Sequence, residues 1–330
     1  AYGHGMLDVA EQLEDVDGLG VARLPEALKL RNAGIDKPIT LLSGVFSPAE
    51  LKIAADNHLD VVVHCEEQLE WLNSHVDAPM TVWLKVDTGM NRLGFTPERA
   101  TELKDRLAAA AAVGELRLMT HFADADNTQG PLTMEQFERI ATVVDGFEGG
   151  VSLANSSAIL GWPHIAAAQE TLGFSGDLWI RPGVALFGIS PFADRTGSDL
   201  GLQPVMHFEA HLIAKKSLQA GSHVGYKCRY ISDRDTKIGI IAAGYGDGYT
   251  RHFRDGTPVL INNRRVQLIG NVSMDLIAVD LGPDATDAVG DVATLWGDEL
   301  PVEEVARWAD AIPYELVCGV THREALEMTV

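Results

Sequence analysis

The sequence predicts an α/β chain in two parts: a parallel (β/α)8 barrel over residues 1–200, with its first unit absent from this chain, and a mostly β domain over residues 201–330. Two observations carry this. Over the first part, short apolar stretches alternate with amphipathic ones, the pattern that builds a parallel sheet with helical crossovers. Beyond about residue 200 the pattern becomes a series of strand-like runs with little helix between them. The length of 330 residues agrees, because single cores stop growing near roughly 250 to 300 residues.

Strands are expected at 19–22, 39–42, 60–64, 80–86, 116–121, 151–154 and 178–181. That is seven where a parallel barrel has eight, so the missing unit is expected before Ala1. A seven-stranded open, doubly wound sheet is the alternative. The helices between have local start signals. Ser47-Pro48-Ala49-Glu50 reads as an N-cap, a first-position proline and a capping-box acid. Thr96-Pro97-Glu98 opens the alanine-rich helix near 107–112, and Thr133, with Gln136 at the third helical position, opens the next. In the second part strands are expected at 207–212, 237–242, 258–261, 265–269, 275–280 and 292–296, with Asn262-Asn263 as a hairpin turn and one helix at 302–309.

Composition narrows the function. With 46% apolar and 22% charged residues and no apolar run near the roughly 20 residues a bilayer span needs, a membrane protein is not expected. A formal charge of −21 repels phosphate backbones, which disfavours nucleic acid as a partner and favours small-molecule chemistry. Cys65, Cys228 and Cys318 are spaced for neither a disulfide framework nor a zinc site, so no metal is expected and a reducing cytoplasm suits the chain. The chain opens on Ala1-Tyr2-Gly3-His4-Gly5 with no methionine, like a cut end.

In a parallel barrel the chemistry sits at the C-terminal ends of the strands. Here Lys85 and Asp87 end the fourth strand with Arg92 just beyond, His121 ends the fifth, Asn155 and Ser156 follow the sixth, and Arg181-Pro182-Gly183 follows the seventh. Each has an ordinary alternative: a structural histidine, a helix cap, a surface charge. Their shared position at one rim is what makes them candidates.

Eight ordered stretches resemble the motifs of bacterial alanine racemases. They are Tyr2-Gly3-His4-Gly5, Lys85-Val86-Asp87-Thr88-Gly89-Met90-Asn91-Arg92-Leu93-Gly94, Thr120-His121-Phe122, Ala154-Asn155-Ser156, Arg181-Pro182-Gly183, Val224-Gly225-Tyr226, Gly244-Tyr245-Gly246-Asp247-Gly248 and Val272-Ser273-Met274-Asp275. The resemblance implies an eight-stranded barrel followed by a β domain, a homodimer whose subunits share active sites, and pyridoxal 5'-phosphate as cofactor. It implies L-alanine and D-alanine as substrates, interconverted by proton transfer between two bases. The cofactor phosphate would be held by Tyr2, Ser156 with its neighbour Asn155, the amides of Gly183 and Val184, and Tyr314. Arg181 would donate to the pyridine nitrogen. Tyr226, supplied by the partner subunit, would be one base, assisted by His121. Lys85 matches a lysine carbamylated in many members, whose new carboxylate orients Arg92; Arg92 would contact cofactor and substrate carboxylate, and Tyr245 and Met274 would line the substrate entrance.

The resemblance places the cofactor's Schiff-base lysine just upstream of Ala1. Three readings follow: a chain that continues upstream in a normal enzyme, a truncated and inactive product, or a lysine-free relative that binds cofactor or dimerises without catalysis. A racemase of broader specificity is the close variant. Two departures stand out: Lys227 follows Tyr226 where the family commonly has glycine, and the ending Thr321-His322-Arg323-Glu324-Ala325-Leu326 matches the family poorly.

Overall fold

The computed structural model describes residues 1–75, 78–321 and 323. The second departure above therefore falls largely outside the described residues. The chain divides into two compact units, one of residues 7–183 and one of residues 1–6 with 184–330. Residue 200, where the division is expected, lies within the second of these units. Segment 184–200 is bound to the second unit: the buried Glu303 carboxylate accepts from the amides of Ser190 (2.7 Å) and Gly197 (2.9 Å), and Arg307 donates to the Ala193 carbonyl (2.8 Å).

Among the described residues of the first unit, seven strands form one parallel sheet in sequence order: β1 (Leu19–Val21), β2 (Ile39–Leu41), β3 (Asp60–Val63), β4 (Met80–Lys85), β5 (Val113–Met119), β6 (Val151–Asn155) and β7 (Leu178–Arg181). The expected strands are all present. The chief difference is β5, which starts at Val113 because Val113 and Glu115 still pair with Met80 and Thr81 of β4. Period-two alternation sorts the side chains into two layers. Val61, Val82, Leu84 and Leu118 are buried on the side covered by helices such as Pro48–Asp56, Pro97–Ala108 and Leu132–Val144. The opposite face carries Val62, Trp83 and Met119, packed with Leu42 and Trp179.

Continuing each inward row by two residues takes Trp83 to Lys85, Met119 to His121 and Trp179 to Arg181, so the apolar interior ends in a polar rim. Helix caps behave as expected at two starts. Ser47 accepts from the Glu50 amide (3.2 Å) and Thr96 from the Arg99 amide (3.3 Å). The Glu50 carboxylate, however, reaches back to the amide of Phe46 (2.7 Å).

In the second unit six strands, among the described residues, close into an antiparallel barrel: β8 (Phe208–Leu218), β11 (Thr236–Ile241), β12 (Pro258–Ile261), β13 (Arg264–Ile269), β14 (Ile277–Asp280) and β15 (Val292–Trp296), in the order β11-β14-β13-β12-β15-β8 with β8 pairing back to β11. Asn262 and Asn263 take φ of 50° and 58° in the β12–β13 hairpin, the left-handed pair a two-residue turn requires. A separate small hairpin pairs β9 (His223–Val224) with β10 (Tyr230–Ile231). No helix among the described residues is long and apolar enough to cross a membrane.

Inside the parallel sheet Arg117 lies over the rings of Trp179 (4.5 Å) and Trp83 (5.2 Å) and 3.7 Å from the Asp60 carboxylate. Burial raises the pKa of Asp60 and Arg117 opposes that rise. A raised carboxyl pKa means that the folded chain holds a proton the unfolded chain has lost. Stability is therefore withheld at neutral pH and returns as pH falls. Arg117→Ala should cost about 3 kcal/mol at neutral pH, less at mildly acidic pH, and less again with Asp60→Asn added. Urea unfolding of the single and double variants measures this. Equal losses at both pH values would show that the Asp60 charge is not the source.

Candidate active site

The rim residues of the parallel sheet surround a cavity of about 370 Å³ lined by Leu42, Lys85, Arg92, Met119, His121 and Arg181, among others. Arg181 organises it. Its guanidinium donates to the carbonyls of Thr120 (2.8 Å) and Leu153 (3.4 Å), to the Ser152 hydroxyl, and to His121 Nδ1 (3.4 Å). Burial lowers the Arg181 pKa to about 10, so it remains protonated at neutral pH.

Because Nδ1 of His121 accepts from Arg181, the imidazole proton belongs on Nε2. Burial first, then the charges of Arg181, Lys85 and Arg92, push its pKa down to about 3. The Lys85 amine is held well below the usual lysine range by burial, with Arg181 and Arg92 adding repulsion and Asp87 opposing them. The rim therefore presents cations and a neutral imidazole, an environment that favours an anionic ligand.

The loop after β4 is shaped to carry Arg92. Oδ1 of Asp87 accepts from the amides of Gly89 and Asn91, both at 3.0 Å. Gly89 and Gly94 take φ of 139° and 121°, and a Cβ on Gly94 would lie 2.9 Å from both the Asp87 amide and the Lys85 carbonyl. The glycines in this stretch are therefore steric requirements.

Three residues that support the rim escaped sequence reasoning. The buried Thr88 and Thr120 hydroxyls meet at 2.8 Å. Gln136 Nε2 donates to Thr88 Oγ1 and to the His121 carbonyl, both at 3.0 Å, while its Oε1 accepts from the Ala123 amide (2.8 Å). Gln136 was expected as a capping residue after Thr133. The helix instead starts at Leu132 and Gln136 is buried against the rim. A glutamine inside a helix's apolar face, between Thr133 and Phe137, was the signal available.

Asn155 is a helix cap, accepting from the Ala158 amide (3.0 Å), and sets the buried Ser156 at the first helical position. The Gly183 amide donates within its own turn to the Arg181 carbonyl (2.9 Å), which leaves it less available to a phosphate than expected.

The remaining candidates belong to the second unit. Tyr2 packs edge-on to Tyr314 (5.9 Å between centroids) and against Phe187 (5.4 Å), which ends the short helical turn Val184–Phe187. His4 stacks on Phe187 (4.3 Å) and its Nδ1 is 2.8 Å from the Tyr2 carbonyl. Tyr226, Tyr245 and Met274 are 67%, 39% and 54% exposed. Tyr245 and Gly246 donate to the carbonyls of Ser273 (3.0 Å) and Met274 (2.8 Å), so the loops bearing Tyr245 and Met274 are joined through their backbones. Tyr226 stands on a strained turn: Lys227 and Cys228 take φ of 62° and 50°, each costing about 1 kcal/mol or more for a residue with a side chain. A glycine at position 227 would carry no such cost.

Comparison with known proteins agrees with this arrangement. Residues 1–191 match the alanine racemase N-terminal domain and residues 205–327 the alanine racemase C-terminal domain. The alanine racemase of Vibrio atlanticus is 49% identical over 330 residues, covering 99% of this chain and 89% of that protein, and that of Aeromonas hydrophila is 47% identical over 329 residues with the same coverage. Among solved structures, the biosynthetic alanine racemase of Pseudomonas aeruginosa superposes with a TM-score of 0.91 at 42% identity, covering 98% of this chain and 88% of that one. The alanine racemase of Acinetobacter baumannii gives 0.87 at 37%, with the same coverage.

The His121 environment makes a testable statement about pH. Its folded pKa of about 3 lies below the ordinary 6.5, so between these values the unfolded chain takes up a proton that the folded chain refuses. Stability through this group is complete above about pH 6.5 and is lost as pH falls towards 3. His121→Gln should flatten the acid limb of the stability profile by up to about 1.4 kcal/mol per pH unit. Nitrogen NMR of the wild type should find this imidazole neutral at mildly acidic pH; a protonated ring there would contradict the geometry.

Proposed function

The chain belongs to the alanine racemase family, and from that premise we propose that this isomerase interconverts L-alanine and D-alanine by two-base proton transfer at Cα with pyridoxal 5'-phosphate as cofactor. When bound, the cofactor supplies the electron sink that acidifies the substrate's Cα–H.

The observation that carries the reading is Arg181, a protonated guanidinium held on Thr120, Ser152 and Leu153 at the edge of the rim cavity. Arg181 donates a hydrogen bond to the ring nitrogen and does not surrender its proton. Placed so, Arg181 would leave the ring nitrogen unprotonated, the state that disfavours transamination. The cationic rim suits the fit: Arg92 binds the substrate carboxylate and Arg181 the ring, while neutral His121 adds no further charge. Burial, with Arg181 and Arg92, shifts the Lys85 amine towards its neutral form, the form that adds carbon dioxide to give a carbamate and release a proton, and that carboxylate would then orient Arg92.

Tyr2 and Tyr314 supply hydroxyls to the cofactor phosphate, with Ser156 and the Val184 amide; Asn155 acts through its cap, by setting Ser156. Tyr226 serves as one base in a homodimer, acting on the active site of the partner subunit. The high exposure of Tyr226 within its own chain supports this. The opposite face belongs to the family's cofactor lysine, which the resemblance puts upstream of Ala1. Tyr245 and Met274 narrow the entrance around a small side chain. In the cytoplasm such an enzyme supplies D-alanine for peptidoglycan.

The complete cofactor-loaded polypeptide should form D-alanine from L-alanine and exchange the Cα proton with solvent deuterium. Cofactor binding without exchange would sink the reading. Tyr226→Phe should lower kcat/KM by about 10² to 10⁴. Arg181→Glu should lower racemisation and raise keto-acid formation, read by chiral chromatography and a coupled keto-acid assay. Rates on lysine, arginine and serine measure breadth of specificity.

A further inference from the structure

The turn that presents Tyr226 is backbone-strained yet has its side chain largely in solvent, so something other than the tyrosine ring must hold it. Gly225, Lys227 and Cys228 have φ of 71°, 62° and 50° within the five residues that join β9 to β10. For lysine and cysteine that conformation lies in the left-handed region that side chains disfavour, and it persists only where surrounding contacts enforce it. Two contacts do so, both from the stretch 270–271 that follows β13. The Asn271 carboxamide Nδ2 donates to the Tyr226 carbonyl at 2.6 Å. Arg229 Nη2 donates to the Gly270 carbonyl (2.8 Å) and to Asp255 Oδ1 (3.0 Å), and the same Asp255 oxygen accepts the Gly270 amide (2.6 Å). Stretch 270–271 opens the loop that carries Met274, so one loop sets both the tyrosine's main chain and a residue of the proposed substrate entrance.

We propose that Asn271 is a positioning residue for Tyr226. Its carboxamide locks the left-handed turn through the Tyr226 carbonyl, with the Asp255–Arg229–Gly270 link as a second strut. The inference rests on the reading of Tyr226 as a base. Without Asn271, Lys227 is released to a right-handed or extended conformation and the phenol swings away from its working position. Misplacement of this kind slows a proton transfer without removing any reacting group. A lysine in the left-handed slot makes the chain dependent on this lock, because a glycine there would need none.

The test uses the complete, cofactor-loaded enzyme with Asn271→Ala, Asn271→Asp, Tyr226→Phe and the pair Asn271→Ala/Lys227→Gly. Aspartate keeps the shape but offers an acceptor where a donor is needed, so it should behave like alanine. Both single variants should show faster amide hydrogen exchange at residues 225–229, with the strands of the β barrel unchanged. kcat should fall on the order of tenfold with KM little altered. The Cα-deuterium isotope effect should rise in one direction of racemisation only, the one in which Tyr226 removes the proton. A merely structural role would lower the active fraction and leave both isotope effects as they were.

The double variant should recover part of the rate, since glycine removes the strain at position 227 and leaves only that at Cys228. The proposal is overturned if exchange in the turn is unchanged, if it rises with no directional isotope effect, or if Lys227→Gly restores nothing. If Tyr226→Phe itself leaves racemisation and isotope effects intact, the assignment of the base fails instead.

Discussion

The first unit depends on one obligation: a guanidinium taken largely out of water at the end of a parallel strand must have its donors met. Arg181 meets it with two carbonyls, a serine hydroxyl and an imidazole nitrogen. The acceptors come from β6 and from the residues that extend β5, so the obligation also fixes how the strand ends lie beside each other. Two electrostatic consequences follow. The imidazole that accepts from a cation cannot readily become one, and the amine of Lys85 loses its proton more easily. Both effects arise from burial first and from Arg181 second, so the protonation of the rim follows from the packing of the interior below it.

That packing was legible because period two is a strict rule. Once Trp83, Met119 and Trp179 are assigned to one interior row, Lys85, His121 and Arg181 fall on the same row at the strand ends, and the rim could be read from spacing. Gln136 was misread for a related reason. A glutamine three residues after a threonine cap fits a capping box, and only the tertiary packing turns it inward to the His121 carbonyl. Local signals had no access to that choice. The length of β8 was lost in the same way. The strand expected at 207–212 stops short of Lys215-Lys216-Ser217, yet each of these pairs with β11. Barrel closure is a non-local property of register, so no window of sequence contains it.

The second unit follows a different logic. Closing six antiparallel strands removes the open edges that would otherwise invite pairing with another chain. The left-handed residues Asn262, Asn263, Lys227 and Cys228 all lie in the connections between strands. Tyr226, Tyr245 and Met274 are large side chains left exposed on those loops.

The charge balance draws these features together. A chain with a formal charge of −21 gathers Lys85, Arg92 and Arg181 about one small cavity, where the one nearby carboxylate, Asp87, already accepts two backbone amides with one of its oxygens. Among the residues lining this cavity the cations Arg92 and Arg181 outnumber the carboxylate, which favours entry of an anion. An amino acid is a zwitterion, so its carboxylate is drawn in while its ammonium is not. Under the proposed reading this is the useful orientation for chemistry at Cα: an arginine would hold the carboxylate, and the ammonium would be left where it must lose a proton before it can react. Neutral His121 belongs to the same arrangement: with the Lys85 amine shifted towards its neutral form, the two arginines supply the positive charge, and a further cation would bind the carboxylate more tightly.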